Sequence, residues 1–239
     1  MNLLYIILIY IILLKILQKL FKKQFKVAWL VNKITNQQFK KVFKKYLKGE
    51  LIDIGCGVKP YYRMTQKYVK NHIGLDHINT FHNKDNIDLF GTAYKIPSKS
   101  NMFDSAICTA TLEHLEEPEA ALRECYRVLK IGGFAIYTVP FIWHLHEEPR
   151  DFYRYSKYGL EYLFTKVGFK IIELNALSGF WVTFGQLLVY KIYKYNKGFI
   201  KITSIIPLIS FIIQRICYLI NKIDKDTRWT WMYLIIVKK

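Results

Sequence analysis

The run E-L-I-D-I-G-C-G-V-K, Glu50 to Lys59, decides how this 239-residue chain folds. Leu51 and Ile52 have the character of a buried strand, Asp53 stands near its carboxyl end, and Gly55 and Gly57 follow where the chain must turn. In an open α/β sheet, ligands bind beyond the carboxyl ends of strands where the winding reverses. Glycines at that point let a ligand come close to the backbone. A dinucleotide fingerprint would run on to a third glycine and a helix N-terminus that receives a pyrophosphate. Here Lys59 and Pro60 come instead. The acid ahead of the glycines would repel a pyrophosphate and suits a ligand that carries a positive amine.

Outward from that turn, the apolar run I-G-L-D ends at Asp76, nineteen residues after Gly57. An acid at the tip of a second strand can take both ribose hydroxyls of a nucleoside. Alone it reads equally as a turn residue closing a strand, but the glycines between the two acids favour a nucleoside. Apolar runs predict strands at Leu51–Ile54, His72–Asp76, Asn86–Leu89, Ser105–Thr109, Phe134–Val139, Phe169–Asn175 and Trp231–Lys238. Helical patterns fall between most of them, notably Glu119–Leu129 and Lys157–Val167. Such alternation predicts an α/β fold with a doubly wound, mostly parallel seven-stranded sheet covered on both faces. Gly132-Gly133 reads as a turn before the fifth strand. A helix over Asn36–Lys48, with Phe39, Val42, Phe43, Tyr46 and Leu47 as its apolar stripe and Gly49 at its end, precedes the first strand.

The formal net charge of +18 invites a nucleic-acid partner, but its distribution argues against one. Residues 1–49 hold eleven Lys/Arg and no Asp/Glu, residues 50–175 hold fifteen basic and sixteen acidic residues, and residues 176–239 hold ten basic and two acidic. The motif-bearing middle is near neutral, and both flanks are basic and rich in Ile, Leu and Phe. That combination fits a membrane surface, where each Lys or Arg near an anionic leaflet contributes about 1 kcal/mol. Leu3 to Leu14 is uninterrupted apolar, and by Lys15 the pattern turns amphipathic, with Lys15, Gln18, Lys19, Lys22 and Lys26 on one face. The start has neither a basic n-region nor a small-residue cleavage site, so an anchor is expected rather than a removable signal. Whether that anchor spans the bilayer or lies on it stays open. Phe180–Tyr190 and Phe199–Ile220 are apolar but neither is long and clean enough to read as a span, and they are expected to form one or two helices inserted before the last strand. The four cysteines form no C-x-x-C pair, which argues against a zinc ribbon or a disulfide framework and fits a reducing compartment.

Five blocks in order carry a resemblance: L-I-D-I-G-C-G, I-G-L-D, G-T-A-Y-K-I-P, F-D-S-A-I-C-T-A-T-L-E-H-L and L-R-E-C-Y-R-V-L-K-I-G-G-F. Over roughly Glu50 to Asn175 the chain resembles the class I S-adenosylmethionine-dependent methyltransferases, within them the branch that includes quinone-biosynthesis enzymes. The resemblance implies a Rossmann-like methyltransferase fold and S-adenosylmethionine as cofactor. It implies that Asp53, Gly55 and Gly57 hold the methionine part of the cofactor and Asp76 its ribose. Thr92 stands where the family often has an acid at the adenine amine; its hydroxyl or the Ala93 backbone would serve instead. Thr109 falls where the chain passes the methionine end. Glu113-His114 matches the family's E-H pair, with His114 facing the transfer site or joining strand to helix. Lys59 stands where a third glycine is often found. The expected organisation is a hydrophobic anchor over residues 1–30 and a methyltransferase domain over 34–239. That domain comprises a cofactor-binding core 50–175, a hydrophobic insertion 180–222 and a last strand 231–238.

The stretch from Pro140 to Tyr155, P-F-I-W-H-L-H-E-E-P-R-D-F-Y-R-Y, follows the fifth strand at the rim where a methyl acceptor would sit. Methyl transfer to an alcohol needs in-line geometry and a group to remove the acceptor's proton, and histidine is poised for that near neutral pH. His146 is the expected base, with His144 and His114 behind it. His144-x-His146-Glu147 also has metal-pair character, but third and fourth ligands are not evident and no metal is expected. The loop is similar to a segment of methyltransferases from bacterial surface-polysaccharide pathways. The expected partners are a small-molecule or lipid-linked acceptor and a membrane surface, with no nucleic acid, and the catalytic domain is expected on the cytoplasmic side. Two rivals are an enzyme using NAD or a nucleotide sugar, and a scaffold protein that keeps the fold without transfer.

Overall fold

A computed structural model describes residues 3–80 and 83–239. The chain falls into two units, one of residues 37–177 and 231–239, the other of residues 1–36 and 178–230.

The larger unit is built on strands β1 (Glu50–Ile54), β2 (Asn71–Asp76), β3 (Leu89–Phe90), β4 (Phe103–Thr109), β5 (Leu129–Pro140), β6 (Lys170–Ala176) and β7 (Met232–Lys238). Among the described residues they form one seven-stranded sheet in the order β3-β2-β1-β4-β5-β7-β6. Neighbours from β3 to β5 run parallel, and β7 inserts antiparallel between β5 and β6. The winding reverses between β1 and β4, so the crevice expected of a doubly wound sheet opens at the carboxyl end of β1, where Gly55 begins its turn. Ile52, Ala106, Leu122, Cys125, Leu129 and Ile235 are buried in the core beside this sheet.

Helices α4 (Pro118–Val128) and α5 (Lys157–Val167) fall where periodicity predicts them, while α3 (Tyr62–Thr65) is a single turn after the glycine loop. Ser156 caps α5 by accepting the Gly159 N–H at 3.2 Å. Helix α2 runs Trp29–Tyr46 and starts a full two turns earlier than expected, because Leu30, Val31 and Ile34 continue its buried stripe. The predicted stripe of Phe39, Val42, Phe43, Tyr46 and Leu47 is buried throughout.

Two sheet expectations are corrected. The third strand is Leu89–Phe90 rather than Asn86–Leu89, since Lys84–Asn86 is a single 3-10 turn capped by the Asn83 side chain. Gly132-Gly133 does not precede the fifth strand but lies inside it, where the β4–β5 register shifts. A glycine pair within a strand marks a bulge that bends the ladder.

The smaller unit holds α1 (Leu3–Leu20), α6 (Phe180–Tyr193), α7 (Gly198–Thr203) and α8 (Ile205–Ile223), three inserted helices instead of one or two. The first two residues of the expected 1–30 anchor lie outside the described residues. Its polar groups point inward. Gln214 on α8 accepts the Leu30 N–H at 3.0 Å and donates to the Lys26 carbonyl, and Gln186 on α6 donates to the Val27 carbonyl at 2.7 Å. Both glutamines are fully buried. Ile205, Ile209, Ile212, Ile216, Leu219 and Ile223, spaced alternately four and three apart, stand 40–82% exposed along one face of α8. Contrary to expectation, Ile205–Ile223 is by length and composition long and apolar enough to cross a membrane, and its apolar stripe is turned outward.

Candidate active site

The glycine turn, the tip of β2 and the end of β4 enclose a two-lobed groove. One lobe of about 330 Å³ is lined by Gly55, Gly57, Asp76, Thr109 and His114, among others. The second, about 240 Å³, shares Gly55, Asp76 and His114 and adds Gly91, Thr92 and Ala93. The structure therefore gathers Gly55, Gly57, Asp76, Thr92, Ala93, Thr109 and His114 around one space.

Local backbone explains why these residue types are needed. Gly55 has φ +72°, and a Cβ there would stand 2.4 Å from the Thr111 side chain, so the turn is closed to other residues. The Gly57 N–H donates to Asp76 Oδ2 at 2.8 Å, and the His77 N–H donates to Oδ1 at 2.7 Å. Two backbone donors thus fix the Asp76 carboxylate at the lip between the lobes, oriented for ribose hydroxyls. Ala110, next on the wall after Thr109, has φ +49°, an unfavourable conformation for a residue with a Cβ. The Thr92 hydroxyl accepts the Lys95 N–H at 3.1 Å, which leaves the Thr92–Ala93 turn as the floor of the second lobe.

Asp53 is placed differently from expectation. It is buried, is not on the groove wall, and lies 3.0 Å from His72 Nε2, whose Nδ1 is 2.7 Å from the Thr65 hydroxyl. Burial raises the Asp53 carboxyl above its ordinary value, and the hydrogen bond with His72 opposes that rise. The acid acts beneath the floor, anchoring β1 to β2, rather than at the groove surface. Lys59, in the place of a third glycine, adopts φ +49° itself. Its side chain turns away from the groove, passes over Gly74 and binds the Asp88 carboxylate and the His72 carbonyl. It substitutes for glycine without entering the ligand's space.

The loop from Phe141 to Tyr155 is tied down. The Phe152 and Tyr153 N–H groups both donate to the Glu113 carbonyl, the Tyr155 hydroxyl donates to the Leu112 carbonyl, and Arg154 grips Asp151 through two nitrogens at 2.6 and 2.7 Å. That grip holds the Asp151 carboxyl well below its ordinary range. His146 is brought against His114, with ring centroids 4.7 Å apart and edge to face. His144 stands farther out, stacked on Trp143, and is not on the groove wall. Burial and then the neighbouring His114 lower the His146 pKa.

Glu113 is the residue whose importance the sequence did not disclose. It is fully buried, and neither carboxylate oxygen has a hydrogen-bond partner among the described residues. Burial pushes its carboxyl up to about 8. The E-H pair pointed at this position but not at the isolation of its carboxylate. Thr111, Arg150 and Glu147 also line the groove; Thr111 could have been suspected only from its place after Thr109, and the other two from the charged rim loop.

The fold and groove define a Rossmann-like enzyme domain that takes a nucleoside with a charged tail. Residues 52–137 match the family model described as a methyltransferase domain. Over 103 residues the chain is 29% identical to 2-methyl-6-phytyl-1,4-hydroquinone methyltransferase 1, chloroplastic, of Oryza sativa subsp. japonica. That match covers 38% of this chain and 29% of the rice protein, less than a third of its length. Among solved structures, a S-adenosylmethionine-dependent methyltransferase from Archaeoglobus fulgidus superposes with TM-score 0.55 at 16% identity, covering 87% of this chain and 94% of its own. The cyclase SpnF superposes with TM-score 0.56 at 18% identity, covering 84% and 80%. Residues 52–137 thus form a methyltransferase domain of the S-adenosylmethionine-dependent kind, and S-adenosylmethionine is the cofactor of that domain. The groove has features that suit that cofactor: a turn stripped of side chains at Gly55 and Gly57, and the Asp76 carboxylate fixed at the lip between the lobes.

Proposed function

We propose that this chain transfers the methyl group of S-adenosylmethionine to an oxygen of a lipid or lipid-linked saccharide at the cytoplasmic face of a membrane. The observation that carries the acceptor class is the face of α8, six exposed Ile/Leu residues on a helix whose Gln214 and Ser210 are buried. A water-facing helix has the opposite polarity, and burying such a stripe in an apolar medium is favourable by about 25 cal/mol per Å². Lys33 over Trp29 and Tyr218, Arg215 over Trp29, and Lys222 over Tyr218 add the mixture of aromatic and basic groups that favours a headgroup layer. The relative's name describes a hydroquinone with a phytyl chain, an acceptor of the same greasy character.

The cofactor supplies a methyl group on a positively charged sulfur, open to attack along the line of the breaking bond. Asp76 binds the ribose, Gly55 and Gly57 leave room for the methionine, and Thr92–Ala93 supports the adenine. His114 lines the groove wall with His146 behind it, and together they meet the acceptor oxygen where its proton must leave. His144 belongs to the outer rim of that loop.

The test is to incubate the purified chain with labelled S-adenosylmethionine and membrane lipid extracts. Label in an organic-extractable or lipid-linked product is expected. Label confined to water-soluble small molecules would remove the lipid acceptor. Cofactor binding without label in any fraction would make the protein a scaffold, and NAD binding in place of S-adenosylmethionine would overturn the cofactor.

A further inference from the structure

We propose that Glu113, His114 and His146 form a binding site for one first-row divalent cation of the zinc, cobalt or iron(II) kind, set beside the cofactor groove. One ligand atom from each of the three lies within 4.8 Å of the other two. Glu113 Oε1 is 3.9 Å from His114 Nε2 and 4.0 Å from His146 Nε2. Arms of about 2.0–2.1 Å to nitrogen and oxygen need donors about 3.3 Å apart, so each histidine must approach Glu113 by little more than half an ångström, and the two histidines, within 4.8 Å of each other, by at most about 1.5 Å. Two histidines and one carboxylate are a donor set that suits zinc in open catalytic sites and iron(II) in facial sites.

Two further observations point to a cation rather than to a chance cluster. The first is the isolated Glu113 carboxylate, fully buried and without a hydrogen-bond partner among the described residues. Buried polar groups are nearly always paired, and an exception calls for a cause such as an ion. The second is the layer behind the ligands. Metal-binding histidines almost always present their other ring nitrogen to a carbonyl or carboxylate, which fixes the tautomer and the ring. His114 Nδ1 lies 2.5 Å from the Arg150 carbonyl, and His146 Nδ1 lies 3.3 Å from Asp151 Oδ2. The first contact turns His114 Nε2 toward Glu113; His146 Nδ1 makes no hydrogen bond among the described residues, and Asp151, held by Arg154, is the carboxylate placed to take it when a cation draws the ring in. Glu147 Oε2, 3.8 Å from His114 Nε2 on the open side, can complete a fourth position.

The sequence hid this arrangement because the expected pair was His144 and His146, whereas His144 takes no part. Two of the ligands, Glu113 and His114, come from the turn after β4, more than thirty residues before His146. Since His114 also lines the groove, an acceptor oxygen entering there could reach the cation and be acidified by it. That use rests on the methyl-transfer reading, while the binding does not.

The experiment uses the full chain, purified without an affinity tag and stripped with chelator, then titrated with Co²⁺ while visible absorption is followed, and with Zn²⁺ in competition. One cation per chain is expected with a dissociation constant below about 10 μM, a visible band of four- or five-coordinate Co²⁺, and displacement by Zn²⁺. Glu113→Gln and His146→Ala should each weaken binding at least about 30-fold, and Asp151→Asn about 10-fold, within the range seen for groups behind a ligand. Retained S-adenosylmethionine binding and far-ultraviolet circular dichroism show that a variant is folded; should Glu113→Gln not fold, His146→Ala and Asp151→Asn decide. A dissociation constant of 10 μM or weaker, or equal affinity in the folded variants, overturns the site. Binding without any methyl transfer would leave the site standing and remove the transfer reading. Transfer by stripped protein that binds no cation would do the reverse.

Discussion

At the scale of single residues, the groove depends on how few side chains enter it. Asp76 is an acid that does, held by the Gly57 and His77 N–H groups. Asp76→Ala should lower S-adenosylmethionine affinity by about 10- to 100-fold, the worth of hydrogen bonds to a charged group, read by calorimetric titration; unchanged affinity would move the ribose elsewhere. Lys59 makes the converse prediction. Its ammonium belongs to Asp88 and the His72 carbonyl, so Lys59→Met should cost about 1–2 kcal/mol of stability in a denaturant titration while altering cofactor affinity less than about threefold. A larger loss of affinity would put Lys59 in the groove. That Asp76 and both glycines come to the groove was legible in the sequence, because residue type and spacing pointed to the strand ends. The role of Asp53 was not, since its partner His72 lies on another strand and the pairing exists only once β1 and β2 are aligned with Asp53 opposite Gly74. The isolation of Glu113 was equally invisible: a carboxylate's lack of partners is a property of its surroundings, not of the letters beside it.

At the scale of elements, strand and helix order followed from apolar periodicity, and the departures have local causes. Helix α2 began early because Trp29-Leu-Val31 resembles the tail of an apolar anchor as much as the start of a packed helix. Strand β5 ran through Gly132-Gly133 because a bulge and a turn share their glycines. Helix α8 was the hardest to read, since the same Ile/Leu content describes a covering helix with its stripe inward. What distinguishes it is where Gln214 goes, and Gln214 is satisfied by backbone groups of residues 26 and 30 that lie far away in sequence. Replacing Ile209, Ile216 and Leu219 together by Glu should lower binding to anionic vesicles at least about tenfold, through lost apolar contact and added repulsion, with little change in circular dichroism. Loss of fold in place of loss of binding would show that the stripe is packed against protein.

At the scale of the whole molecule, the charge map and the two units agree. The near-neutral middle is the larger unit with its groove, and most of the basic, apolar flanks make the smaller one. Deleting residues 1–21 should leave part of the protein co-sedimenting with membranes, because the exposed stripe of α8 persists; complete release into the soluble fraction would assign anchoring to α1 alone. The smaller unit is assembled from segments on either side of the sheet's first six strands, and this has a consequence in time. At about 5–20 residues per second, residue 178 leaves the ribosome roughly 7–30 seconds after residue 36, and residue 230 roughly 10–40 seconds after it. Throughout that interval the Leu30 N–H and the carbonyls of Lys26 and Val27 have no glutamine to meet, and α1 has no neighbour from its own unit. Strand β6 waits as well, for its only partner in the sheet is β7. On the proposed membrane reading, a greasy, basic segment with nothing yet to fold against would meet lipid before it meets its own partners, and the membrane would take part in folding before it supplies substrate.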